Sequence, residues 1–218
     1  MIAPNDKTFT VAIADDHALM RMAVASLISR TGKYRVCIEA ENGKALLEQL
    51  DRSGLPDIIL LDISMPVLDG FETMDLLSKK YHDPNVIAFT MHAKYGDILR
   101  MTTLGIKGYV LKTQLAEELF CALDFVTAGG QYFPEEIEKK LQFASGNALY
   151  LTIAALKENE LTFLKYLCKG MTYGEIAAQM YISYHTVKDY SNGLFQKFGV
   201  NSKIALILFA LKYGIVDV

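Results

Sequence analysis

The sequence predicts an α/β domain built on a doubly wound, five-stranded parallel sheet, followed by a small all-α domain of four helices. Three observations predict it. From Phe9 to Ala128, apolar β-rich runs alternate with helical patterns, and that order implies right-handed crossovers onto one parallel sheet. The run Ile58-Ile59-Leu60-Leu61 is apolar on both faces, as a central strand covered by helices on each side must be. After Gly129-Gly130 the alternation stops and only helical patterns follow. With 51% hydrophobic and 22% charged residues, the chain has the composition of a globular protein and not of a disordered one.

Taken in order, Phe9–Ala14 is a strand that ends at Asp15-Asp16. From Ala18 to Ser29, Leu19, Met22, Ala23 and Leu27 recur at helical spacing and mark a helix. Tyr34–Ala40 is the second strand and Gly43–Arg52 the second helix. Ile58–Leu61 ends on Asp62, and Pro66 with Asp69-Gly70 then forces the backbone out of the sheet before a helix from Gly70 to Lys80. Asn85–Met91 is a strand, apolar until Thr90, and Tyr95–Leu104 is helical. Gly108–Leu111 is a short strand ending at Lys112, and Leu115–Ala128 a longer helix. Pro134 can open a short helix at Glu135–Leu141, and Ala144-Ser145-Gly146-Asn147 reads as a flexible joint. The expected domains are 1–130 and 151–218, with 131–150 as linker.

In the second domain, Thr172-Tyr173-Gly174-Glu175 is a capping box ahead of an apolar run. Ser183 is the N-cap of a helix running to Phe198, and Asn201-Ser202 opens a last helix that Gly214 closes. Two helices a few residues apart, the second amphipathic, outline a helix-turn-helix. On that second helix Val187, Tyr190, Leu194 and Phe198 fall on the face to be buried, and His185, Lys188, Asp189, Asn192 and Gln196 on the other. A polar face of this kind suits base edges and phosphates in a major groove; an ordinary solvated helix would look the same without context.

The strands of the first domain end in Asp15-Asp16, Asp62, Thr90 and Lys112, and in a parallel sheet those ends share the edge where ligands bind. Carboxylates gathered at one point favour a hard cation such as Mg²⁺. With the charge so balanced, Asp62 can attack a phosphoryl donor and become an aspartyl phosphate. Thr90 can hydrogen-bond one phosphoryl oxygen and Lys112 can pair with another. Each residue alone has a plain reading, as a turn cap, a β-former or a surface lysine. All of them in this order on one edge point to phosphoryl transfer. A phosphatase is the alternative enzyme reading, but Ser64 stands where a second acid would be needed. A third reading is a DNA-binding protein regulated by protein contacts alone.

These residues resemble a known family. Asp15-Asp16, Leu61-Asp62-Ile63-Ser64-Met65-Pro66 with Asp69-Gly70, Thr90, and Lys107-Gly108-Tyr109-Val110-Leu111-Lys112 are similar to the motifs of the receiver domain of two-component response regulators, a CheY-like fold, over residues 8–130. The resemblance implies Asp62 as phosphoacceptor, with Mg²⁺ held by Asp16 and the Ser64 carbonyl, Asp15 assisting. It implies Thr90 and Tyr109 as the pair that reports the phosphate. The chain departs from the family pattern at Met91, where many receivers have a small residue, and at Thr113, where many have Pro.

Leu164 to Lys203 resembles the LuxR-type helix-turn-helix of NarL/FixJ regulators through Gly170, Glu175-Ile176-Ala177, Ile182-Ser183, Thr186-Val187-Lys188, Lys197-Phe198-Gly199-Val200 and Lys203. This implies a DNA-binding set of Thr186, Val187, Lys188, Asp189, Asn192, Lys197 and Lys203, double-stranded DNA as ligand, a sensor histidine kinase as partner, and a homodimer on activation. Asn159 and Tyr190 stand where the family usually has Arg and His.

Charge distribution agrees with two kinds of partner. Residues 1–150 carry 15 Lys and Arg against 20 Asp and Glu, and residues 151–218 carry 7 against 5. A net of +2 is weak for DNA binding and predicts modest affinity of a single copy. Cys37, Cys121 and Cys168 are widely spaced and read as free thiols of a reducing compartment. The start Met1-Ile2-Ala3-Pro4-Asn5-Asp6 lacks a signal-peptide pattern, and the apolar run Ile204–Leu211 is far too short to span a bilayer. A cytoplasmic protein without membrane contact is expected.

Overall fold

The computed structural model describes residues 7–91, 93–114, 116–145, 149, 152–153 and 155–216. The elements run β1 (Phe9–Ala14), α1 (Ala18–Ser29), β2 (Tyr34–Ala40), α2 (Gly43–Ser53), β3 (Ile58–Leu61), α3 (Gly70–Lys80), β4 (Val86–Thr90), α4 (Tyr95–Thr103), β5 (Gly108–Leu111) and α5 (Ala116–Thr127). The later helices are α6 (Glu135–Ser145), α7 (Glu158–Cys168), α8 (Tyr173–Gln179), α9 (Tyr184–Phe198) and α10 (Lys203–Lys212). Contact density divides the chain into Met1–Ala93 with Met101–Glu138, and Lys94–Arg100 with Lys139–Val218. By this division the start of α4 counts with the second unit.

The first unit is a five-stranded sheet in the order β2-β1-β3-β4-β5, with every pairing parallel. The four residues of β3 are all buried, as its apolar run requires. On one face, Val11, Ile13, Ile58, Leu60, Ile87, Phe89 and Val110 form a continuous core with Val24 and Ile28 of α1 and with Leu119, Ala122, Leu123 and Val126 of α5. The register of β1 against β3 is pinned below the strands by Asp57. Its Oδ2 accepts from the Thr10 amide and hydroxyl, both at 2.8 Å. Burial works against the charged form, yet those Thr10 bonds and the Lys7 ammonium hold the Asp57 carboxyl below the usual range.

The helical period of α1 does not by itself give its buried face. Leu19 and Met22 are 84% and 63% exposed, while Val24 and Ile28 are the fully buried residues of α1. The helix is apolar nearly all round, so several stripes fit the helical period and spacing alone does not choose among them. Helix α6 also runs to Ser145, past the expected Leu141. Three glutamates in its first turn favour the helix N-terminus, and Ala144 and Ser145 continue it. Gly146 and Asn147 of the expected joint lie outside the described residues.

The second unit packs α7 to α10 around Phe163, Leu164, Leu167, Ile176, Val187, Leu194, Phe198, Leu206 and Ala210. The expected caps are in place: Thr172 and Glu175 form a reciprocal box, and Ser183 and Ser202 accept from Thr186 N and Ala205 N. Gly199, at φ 65°, ends α9 in the left-handed conformation that glycine adopts without strain. Among the described residues no single helix is long and apolar enough to cross a membrane.

Candidate functional site

The parallel register delivers the polar strand ends to one edge. Ala14 pairs with Leu61, so Asp15 and Asp62 follow adjacent partners. The amide of Asp62 donates to Ala14 O at 2.9 Å, and that of Lys112 to Thr90 O at 2.8 Å. Behind Asp62 the backbone is crowded. Gly70 N donates to Ile63 O at 2.9 Å, and a Cβ on Gly70 would lie 2.3 Å from the Asp62 carbonyl oxygen. Only glycine lets α3 start this close. The Asp69–Glu72 capping box then fixes that start, with Glu72 N donating to Asp69 at 2.9 Å.

Inside the cleft Lys112 is the pivot. Its Nζ lies 2.6 Å from Asp62 Oδ2 and 2.9 Å from Asp15 Oδ2, with all three side chains buried. Burial pushes the Asp62 carboxyl above the ordinary range, and Lys112 opposes the rise without cancelling it. Asp15 Oδ2, although charge-paired with that ammonium, receives no directed hydrogen bond. It is a buried acceptor still unfilled, and one ammonium cannot balance three carboxylates. Asp15, Asp16, His17 and Asp62 each offer one ligand atom, all within 4.8 Å of one another. This oxygen-rich set, with a buried acceptor to spare, fits a hard divalent cation such as Mg²⁺.

His17 is a member of this group that sequence reading missed. Its Nδ1 lies 2.8 Å from Asp16 Oδ1, and its amide donates to Asp15 Oδ1 at 2.9 Å. The signal for it was only its place beside Asp15-Asp16. Arg21, one turn into α1, donates from its guanidinium to the Asp15 carbonyl at 2.5 Å. Thr90 closes β4 at the same sheet edge and is buried, while Tyr109 on β5 is wholly buried. Met91 is half-exposed.

In the second unit, the face of α9 that carries His185, Lys188, Asp189, Asn192 and Gln196 is exposed, as its pattern predicts. Val187 is 0% exposed. It cannot touch a ligand and holds the helix on its core instead, which corrects its place in the expected DNA-binding set. Tyr190 is half-buried with its ring 6.4 Å from that of Phe163. Two of the expected phosphate-binding lysines carry internal partners. Lys197 Nζ lies 2.7 and 2.8 Å from the two carboxylate oxygens of Glu160, a largely buried acid. Lys203 donates to the Met171 carbonyl at 2.9 Å and sits 5.7 Å from the Tyr173 ring centre. Nothing in the linear pattern marks Glu160 as the partner of Lys197, since 37 residues separate them.

Comparison with known proteins agrees with both halves. Residues 11–124 match the model of the response regulator receiver domain, and residues 154–210 match that of the bacterial regulatory proteins of the luxR family. The class is thus a receiver joined to a DNA-binding helix-turn-helix. More narrowly, the chain belongs to the two-component response regulators of the NarL/FixJ type, which are transcriptional regulators. It is 32% identical over 95% of its length to the transcriptional regulatory protein YdfI of Bacillus subtilis, covering 98% of that protein. It is 30% identical over 97% of its length to the nitrate/nitrite response regulator NarP of Escherichia coli, covering 99% of it. Among solved structures, RcsB of Salmonella enterica serovar Typhimurium, bound to a promoter, shares the fold at a TM-score of 0.67 and 24% identity, over 93% of this chain and 98% of that one.

Proposed function

We propose that Asp62 is the phosphoacceptor and that its phosphorylation by a sensor histidine kinase controls dimerisation and DNA binding. The single observation that carries this is Asp62 at the centre of the cleft, bonded through Oδ2 to Lys112 and grouped with Asp15, Asp16 and His17. In the transfer, an oxygen of Asp62 bonds to phosphorus while the bond from phosphorus to the donor histidine nitrogen breaks. The phosphoryl group carries about two negative charges and replaces the single charge of the carboxylate, so the cleft gains about one. Lys112 already lies against this oxygen and pairs with the new charge, while Thr90 hydrogen-bonds a phosphoryl oxygen. Asp15, Asp16 and the Ser64 carbonyl, with Asp62, would hold Mg²⁺. That ion, when bound, neutralises charge on the transferring group. Thr90 moving toward the phosphoryl group opens room for Tyr109, and the two report the event to the rest of the domain.

Thr186, Lys188, Asp189 and Asn192 meet the DNA, with Lys188, Asp189 and Asn192 toward the bases and Thr186 toward phosphate. Lys197 and Lys203 add what their internal bonds leave available. A homodimer fits the apolar stripe of α10, where Ile204, Leu208 and Leu211 recur one turn apart and are 70%, 61% and 45% exposed. The cytoplasm, where kinase and DNA are both within reach, is the matching location.

Incubation with Mg²⁺ and a small phosphodonor tests the reading by intact mass. The wild type gains one phosphoryl group and Asp62→Asn gains none. Sustained turnover of the donor would favour a phosphatase instead, and absence of any adduct would leave a regulator driven by protein contacts. Sedimentation before and after phosphorylation checks the dimer, and an enforced monomer that binds DNA as tightly as the dimer would refute it.

A further inference from the structure

The exposed face of α9 carries an acid, which a surface facing polyanionic DNA has reason to avoid. Asp189 is 64% exposed in its side chain and makes no bond that the fold requires. Its neighbour one turn earlier, His185, is 86% exposed, and His185 Nε2 lies 4.0 Å from Asp189 Oδ2. Neither residue stabilises the helix in any substantial way, because exposed pairs at this spacing contribute only a few tenths of a kcal/mol. Two other lysines of the expected DNA-binding set have internal partners: Lys197 is held by Glu160, and Lys203, on α10, by the Met171 carbonyl. Lys188, next to Asp189, has no ion-pair partner among the described residues.

A carboxylate on a groove-reading helix repels phosphate and every acceptor on a base edge. It is favoured only opposite an exocyclic amine, and in the major groove the amine that suits a carboxylate is N4 of cytosine. The same base pair presents guanine O6 and N7 beside that amine, both acceptors. A ring N–H of histidine is a donor for either. An acceptor and a donor one turn apart on the same stripe thus mirror the donor and acceptors of one C·G pair. Resting on the DNA-binding reading above, we infer that Asp189 and His185 together read one C·G base pair. Asp189 accepts from the cytosine amine, and His185 donates to the guanine. Asp189 also penalises sequences that offer it no amine, so specificity here comes from repulsion as well as attraction.

Selection from a randomised double-stranded pool by the full chain, phosphorylated with a small phosphodonor and Mg²⁺, tests this. Wild type is expected to enrich C·G at one position of each half-site, by roughly 10-fold over the other pairs. Asp189→Ala is expected to lose that preference at that position alone, and to bind unselected DNA a few-fold more tightly at low salt. Asp189→Asn is expected to move the preference toward adenine, which an amide pairs with well. Both variants remove an exposed side chain with no structural bond, and circular dichroism at the wild-type level checks that each is folded. An unchanged base preference in folded Asp189→Ala overturns the inference while leaving DNA binding intact. A wild-type chain that enriches no sequence removes the DNA reading itself, and this inference with it.

Discussion

The cleft of the first unit and the reading face of the second hold their charges in opposite ways. In the cleft, Asp15, Asp62 and Lys112 are buried and locked to one another at 2.6 to 2.9 Å. On α9, Lys188, Asp189 and His185 stand in solvent with at most a loose contact of 4.0 Å, while the lysine that is firmly bonded, Lys197, is the one turned to the fold. Buried charges interact strongly and their loss is felt throughout the domain; exposed charges are screened and can be exchanged at little structural cost. A site that must store a covalent signal is therefore built of the first kind, and a surface that must discriminate among DNA sequences of the second.

The contrast can be broken by mutation. Lys112→Met leaves two buried carboxylates without their shared cation and should destabilise the first unit by about 3–5 kcal/mol. Urea unfolding in the presence of a chelator measures this, and Mg²⁺ should restore part of the loss. A change as small as that of a surface lysine would end the distinction drawn above. Gly70→Ala drives a methyl into the Asp62 backbone and should cost about 2–3 kcal/mol and weaken Mg²⁺ binding, measured by calorimetry. Glu160→Gln removes the charge that holds Lys197, and the second unit should lose about 1 kcal/mol while the first is unaffected. Separate tryptophan probes, one engineered into each unit, would follow the two transitions. An equal loss in both would contradict the assignment of Glu160 to the core of the second unit.

The finest distinction is the sign of a pH effect. Because burial raises the Asp62 carboxyl in the folded state, the folded chain binds that proton more tightly than the unfolded one. Stability contributed by the protonated form is present at acid pH and lost as pH rises through the folded value. The metal-free Asp62→Asn protein should therefore be more stable than wild type at neutral pH, with the gap closing in acid. Thermal unfolding across that range in a chelator checks it. A wild type that stays the more stable at neutral pH would show that Lys112 outweighs burial.

Much of this was visible along the chain. Apolar runs ending in Asp15-Asp16, Asp62, Thr90 and Lys112 were enough to bring those residues to one edge, because a parallel sheet with right-handed crossovers leaves strand ends nowhere else to go. The caps at Thr172, Ser183 and Ser202 were equally plain, since their partners lie three residues away. The face of α1 was not legible: with apolar residues on most sides of the helix, packing against β1 and α5 chose Val24 and Ile28 over Leu19 and Met22.

Local pattern thus carried the alternation of strands and helices, the acidic edge and the helix-turn-helix, because each depends on period, capping or chain direction; the strand order β2-β1-β3-β4-β5 came only with the tertiary structure. The partners of Lys197 and Lys203 and the unfilled oxygen of Asp15 depend instead on atoms brought together from distant segments. Those contacts exist only once the helices and strands have packed, and they separate the charges that hold the fold from the charges left free to act.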